Sequence, residues 1–323
     1  MLLGSHVSCQ GGLFKAVERA EELHCECIQV FVTNPPRQWP AFQGAKPGSC
    51  SVSDLPTVLE PENALDPAKS KAALTDQWQT KSLAQKEIDR WVSALSQSNL
   101  CHPIAHASYL INLASPKQDL FEKSIHALIA ELDRCNRLGI EGLVLHPGAY
   151  TESSASEGIT RIIEGMMEVL ERTQHLTCRV LLENTAGQGT CLGHRFEELG
   201  QMLEGIGDTE RVGVCMDTCH AFAAGYELNT PHGFKEMASV IDDVLPCNAI
   251  KALHLNDSKK PLGSRVDRHE HIGLGEIGLG GFRMLKEHET LGQLPGYLET
   301  EKGIDQETGR DWDAINLQVL RSL

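Results

Sequence analysis

Residues able to hold metal ions recur in this chain where short apolar runs stop. In VGVCMDTCHAFAAG, Val212, Val214 and Met216 read as a buried strand, and the run then presents Asp217 and, three residues on, His220. The same ending recurs at His106 in PIAHASYLINL, His146 in LVLHPG, Glu183 in VLLENTAGQG, His254 in ALHLND and Glu299 in YLETEKG. Asp267 and His269 lie in RVDRHEH, in the loop after the strand that ends on His254. One histidine ending a strand is more often a hydrogen-bonded structural residue, and one carboxylate there is often a helix cap. Coincidence at six consecutive strand ends is much harder to explain that way. Nitrogen and oxygen donors without a thiolate suit Zn²⁺ or Mn²⁺. The set exceeds what one tetrahedral ion can use, so two or three ions sharing bridging carboxylates is the natural count. Such clusters suit in-line displacement at phosphorus.

The elements that must position these residues alternate. Apolar patterning predicts strands over 2–7, 27–32, 104–107, 142–145, 179–182, 212–216, 249–255 and 296–298. Helical periodicity falls between and after them, over 11–23, 83–97, 116–138, 158–174, 195–203, 233–244, 280–289 and 312–323. Strands alternating with helices imply right-handed crossovers and a parallel sheet. Eight such units predict an α/β fold, a TIM (β/α)8 barrel, whose active site is built where the strands' C-terminal ends open. A doubly wound open sheet gives no reason for donors at so many strand ends. Residues 43–80, rich in Pro, Ser, Lys, Asp and Ala, predict a flexible insertion after the second strand within a single 1–323 domain.

With 41% hydrophobic and 23% charged residues, the composition is that of a globular protein. No apolar run reaches the ~20 residues of a membrane span. The first residues enter a strand pattern without a basic or cleavable leader, which predicts a cytoplasmic protein, or a nuclear one in a eukaryote. Eleven cysteines without paired spacing predict reduced thiols acting as small hydrophobes. A net charge of −15 argues against nucleic acid as a partner. Divalent ions at one mouth invert the local field, however, so the formal count does not decide.

HASYLINL, LHPG, ENTAGQG, VGVCMDTCHAFAAGY, LHLNDSK and GSRVDRH together resemble the endonuclease IV family of apurinic/apyrimidinic endonucleases, over nearly the whole chain outside 43–80. The resemblance implies a TIM barrel with three zinc ions, Mn²⁺ being possible at one position. His106 and His146 would bind the first ion, and Glu183 would bridge it to the second. Asp217, His254 and Glu299 would complete the second, and His220, Asp267 and His269 would hold the third. A metal-bridging hydroxide near Glu183, the catalytic residue, would attack the phosphate 5′ to an abasic site and leave a 3′-hydroxyl, with 3′-end cleaning as a related activity. The partner implied is double-stranded DNA with abasic sites, bound by a monomer. Arg37, Tyr109 and Leu110 would enter the minor groove and help extrude the abasic sugar, at an unstacking cost that is lowest where a base is missing.

Two departures stand out: Ala107 follows His106 where relatives often carry a carboxylate, and Pro35 and Pro36 precede Arg37. Gly273, Gly275 and Gly278 spell GxGxxG, but they do not open the first strand–helix unit, so backbone flexibility is expected rather than a dinucleotide site. His6, ending the first strand, also faces the mouth and could contact the site, but it is expected to be structural and is left out of the ligand set. The competing readings are a metal-dependent sugar isomerase or epimerase with one or two ions, and a non-enzymatic DNA-binding protein with a broken ligand set.

Overall fold

The computed structural model describes residues 1–33 and 83–323; the expected insertion at 43–80 and Arg37 lie outside them. Eight parallel strands form the barrel: β1 (Leu3–His6), β2 (Cys27–Phe31), β3 (Cys101–His106), β4 (Gly142–Leu145), β5 (Arg179–Glu183), β6 (Val212–Asp217), β7 (Ile250–His254) and β8 (Gly296–Leu298). They close in the order β1-β8-β7-β6-β5-β4-β3-β2, with Leu3 opposite Gly296 at the seam. Outside lie α1 (Leu13–Glu22), α2 (Gln85–Gln97), α3 (Gln118–Leu138), α4 (Ala155–Arg172), α5 (Phe196–Ile206), α6 (Thr218–Ala224), α7 (Pro231–Val244), α8 (Gly278–Glu287) and α9 (Trp312–Ser322).

Local chemistry explains the boundaries. Ser154 and Glu157 form a reciprocal capping box that starts α4, and Gly139 ends α3 in the left-handed region at φ 69°. Strand β3 begins three residues before the expected 104, because Cys101 pairs with Cys27 ahead of a bulge. The bulge accommodates Pro103, which has no N–H to give a regular ladder. Strand β6 runs through Asp217, one residue beyond expectation, and α6 follows without a loop.

Apolar residues pack in two layers. The larger layer joins the strands' outer faces to the helices, with Leu128, Leu132 and Cys135 of α3 fully buried. The smaller fills the barrel: Cys27, Ile104, Val144, Leu181, Cys215, Ala252 and Tyr297, one from each of β2 to β8. Truncating such a residue, Leu181 for example, costs about 2–5 kcal/mol. In β1 the corresponding place is taken by Gly4, where a Cβ would stand 1.9 Å from the Cys27 carbonyl oxygen. Only glycine permits that approach. The interior is therefore a plug, and chemistry is confined to the mouth above it.

Candidate metal centre

Side chains alternate along a strand, so the second residue beyond each inward apolar one also points inward, one layer nearer the mouth. That rule yields Gln29, His106, His146, Glu183, Asp217, His254 and Glu299 from β2 to β8, and His6 from β1. This ring rests on the floor of close-packed apolar side chains beneath it. His220 rises from the first turn of α6, and Asp267 and His269 come from the long loop after β7. His269 is steadied there by a two-residue antiparallel ladder with Asp257–Ser258.

The donors fall into groups. His106, His146 and Glu183 lie together, as do Glu183, Asp217, His254 and Glu299, and as do His220, Asp267 and His269. Glu183 joins the first two. Its Oε2 is 3.1 Å from His106 Nε2 and 2.9 Å from His146 Nε2, while Oε1 is 2.8 Å from His254 Nδ1. His254 Nδ1 also lies 3.1 Å from Glu299 Oε2. In the last group, Asp267 Oδ2 is 3.2 Å from His220 Nε2 and Oδ1 is 3.2 Å from His269 Nε2.

These donors fit divalent ions. Two donors each about 2.0–2.1 Å from a tetrahedral ion stand about 3.3 Å apart, close to the spacings above. The Nε2 atoms of His220 and His269 are buried and make no hydrogen bond, although a carboxylate oxygen stands beside each. Nitrogen lone pairs aimed past a neighbouring oxygen suit a shared cation between them.

The other ring nitrogens are occupied, which fixes the tautomers. Nδ1 of His106 donates to the Ala107 carbonyl at 2.9 Å, that of His220 to Asn184 O at 2.9 Å, and that of His269 to Glu299 O at 3.2 Å. Outer hydrogen bonds of this kind orient ligating imidazoles. The contact that Ala107 lacks in its side chain is thus supplied by its own backbone.

Charge is balanced within the cluster. Burial depresses the imidazoles, but the Glu183 carboxylate outweighs it at His106 and raises that ring to about 9. Asp267 likewise raises His269 to about 9. His220 and His254 are raised against burial by the carboxylates around them. Conversely, burial works against ionised Glu183 and Asp267, yet the neighbouring imidazoles hold both well below the usual carboxylate range. Cys219 lies within reach of Asp217 and His269, but burial pushes its thiol up to about 12.

Several residues that orient the donors were not foreseen. Gln29, fully buried, accepts from His254 Nε2 at 2.9 Å and donates to Glu299 Oε1 at 2.5 Å. His6, expected to face the mouth but left out of the ligand set, completes the ring 3.2 Å from Glu299 Oε1. Counting two residues on from Cys27 would have found Gln29, as the same count from Gly4 gives His6. Asn256 donates to Asp217 Oδ2 at 2.6 Å, and Asn184 accepts from the Asp217 N–H at 2.7 Å. The GxGxxG run is not merely flexible: the N–H groups of Gly273, Gly275, Ile277 and Gly278 converge on the buried Asp257 carboxylate at 2.9–3.4 Å. Its glycines cradle an internal anion. Of the residues expected to meet DNA, Tyr109 and Leu110 occupy the turn after β3, with Tyr109 48% exposed.

Residues 68–301 match the family described as xylose isomerase-like TIM barrel. A protein named probable endonuclease 4 from Trichlorobacter lovleyi is 39% identical over 99% of both chains. The crystal structure of endonuclease IV from Thermus thermophilus superposes with a TM-score of 0.74 at 29% identity, covering 100% of this chain and 98% of the other. A D-tagatose 3-epimerase-like protein shares the fold alone, with a TM-score of 0.68 at 17% identity, over 100% of this chain and 96% of its own. The chain belongs to the endonuclease IV family of apurinic/apyrimidinic endonucleases, hydrolases built on the xylose isomerase-like TIM barrel.

Proposed function

We propose that this protein is a zinc-dependent DNA-repair endonuclease that hydrolyses the phosphodiester 5′ to abasic sites in duplex DNA, leaving a 3′-hydroxyl. The same site would clear blocked 3′ ends. The observation that carries this reading is Glu183, whose two oxygens face two different donor groups in a fully buried position. Three ions fit the three groups, with His106, His146 and Glu183 as the first set. Glu183, Asp217, His254 and Glu299 form the second, and His220, Asp267 and His269 the third. Divalent ions there would lower the pKa of water and neutralise charge developing on a phosphoryl group.

The chain's own residues would do the rest. The mouth ring fixes its donors on a rigid floor, so little reorganisation is needed when a phosphate arrives. Tyr109 and Leu110, on the turn after β3, would meet a duplex that approaches the mouth, and the exposure of Tyr109 supports this. Arg37, which follows β2 in the sequence and lies outside the described residues, would join them. The reading also answers the charge objection: three divalent ions offset part of the −15 where the phosphate must bind.

The test is incision of a duplex carrying one tetrahydrofuran abasic analogue, with end analysis of the products. Zinc-loaded protein should cut 5′ to the lesion, and prolonged chelation should abolish cutting. A fully loaded protein that leaves the duplex intact would end the proposal. Metal analysis separates the sugar-epimerase alternative, which uses one or two ions: about three zinc ions per chain favours the nuclease, a single Mn²⁺ or Mg²⁺ the epimerase.

A further inference from the structure

Glu131 lies on the apolar stripe of α3 between Leu128 and Leu132 and is 1% exposed. A carboxylate placed there costs stability unless its oxygens find donors. They find two, on different loops. The Ser108 N–H lies 3.3 Å from both oxygens, and the Thr33 hydroxyl donates to Oε1 at 3.4 Å. One turn further along α3, Arg134 donates to the Val32 carbonyl at 2.7 Å. Thus α3 ties together the chain leaving β2 and the chain leaving β3.

The turn after β3 is also held at its far end by the same helix. Ser124, seven residues before Glu131 and so about two helical turns away, accepts from the Asn112 N–H at 3.0 Å. The Asn112 side chain in turn accepts from Ala149 N at 2.9 Å. Tyr109 and Leu110 lie between these two anchors. Neither Glu131 nor Ser124 is itself one of the candidate metal donors.

We propose that Glu131 is a positioning residue for damaged DNA: from α3 it fixes the base of the turn carrying Tyr109 and Leu110 against the end of β2, so that both side chains meet the duplex from a preset position. The inference rests on the abasic-site reading above. Preset geometry of this kind acts on substrate engagement more than on the chemical step.

The experiment compares wild type with Glu131→Leu and Glu131→Gln on two substrates, the abasic duplex and the small diester bis(p-nitrophenyl) phosphate. Leucine suits the stripe and removes the buried carboxyl group, so this variant is expected to fold. Glutamine keeps an acceptor for Ser108. With zinc content equal to wild type, E131L should raise KM for the duplex about tenfold or more while kcat stays within about threefold. Its kcat/KM for the small diester should fall at least about tenfold less than for the duplex. E131Q should recover most of the duplex KM. The inference is overturned by an unchanged duplex KM in E131L, or by parallel losses on both substrates. A wild type that hydrolyses the small diester but not the abasic duplex removes the abasic-site reading itself, and this inference with it.

Discussion

The Asp217 carboxylate accepts a hydrogen bond from the backbone N–H of His220 at 2.7 Å, and so caps the helix from which His220 rises. One residue therefore serves as a donor in one group and fixes the geometry of a donor in another. Asn at this position can still cap the helix but carries no charge, whereas Ala can do neither.

Asp217→Asn should consequently fold with a melting temperature near that of metal-free wild type and bind less zinc. Asp217→Ala should lose the same metal plus about 1 kcal/mol of stability from the missing cap. His220→Ala should lose zinc from a different position. Elemental analysis beside thermal unfolding checks all three, and full zinc in both Asp217→Asn and His220→Ala would refute the proposed grouping.

Gln29 touches no proposed ion position, yet it bonds both His254 and Glu299. Removing such an outer contact typically weakens metal affinity 10–100-fold, so Gln29→Ala should fall by about that factor at one position. Competition with a chromophoric chelator measures it. An affinity profile identical to wild type would show that His254 and Glu299 hold their places without the amide.

Zinc uptake should release protons. Without metal, the Glu183 carboxylate raises His106 to about 9 and Asp267 raises His269 to about 9, so these two rings hold a second proton at neutral pH that a metal would displace; the surrounding carboxylates raise His220 and His254 in the same direction. A ligating nitrogen must give up its proton, and uptake therefore strengthens as pH rises. Calorimetric titrations in two buffers of different ionisation enthalpy should give different apparent enthalpies; identical values would rule this out. The stability of the metal-free protein follows the opposite course. The raised His106 and His269 contribute fully below their unfolded pKa of about 6.5, and that contribution is lost as pH climbs through about 9. The depressed Glu183 and Asp267 contribute above about 4.5 and lose that contribution in acid. Metal-free protein should therefore be most stable between about pH 4.5 and 6.5, and zinc should move that optimum upward.

Asp257 anchors the glycine-rich loop that carries the chain from His269 to α8. Asp257→Ala would leave several buried N–H groups without an acceptor, at a cost of about 1–3 kcal/mol for each that stays dry. Gly275→Ala should also destabilise, because a Cβ there would lie 2.5 Å from the Ser258 carbonyl oxygen. Thermal melts of the two variants should both fall below wild type. A wild-type midpoint for Asp257→Ala would mean that water replaces the carboxylate in the cradle.

The sequence by itself determined the barrel and the donor types, because both depend on short-range periodicity. Apolar alternation ending on His106, Glu183 or Asp217 marks a strand and its mouth without knowledge of the neighbouring strand. The residues left two or three ions open, and resemblance supplied the grouping. Tertiary structure decided what depends on closure. Glu183 can face two donor groups only because β5 stands where the barrel brings His106, His146 and His254 to its two oxygens. Gln29 carried no motif and joined the site only when Cys27 was found on the floor beneath it; His6 was legible at the mouth, but its bond to Glu299 was not. Asp257 reads in sequence as one more loop carboxylate, and Glu131 as one charge on a helix. Their partners lie 16–21 and 23–98 residues away, so no local pattern records them. Hydrogen bonds between distant segments are fixed by packing, and packing exists only in the folded chain.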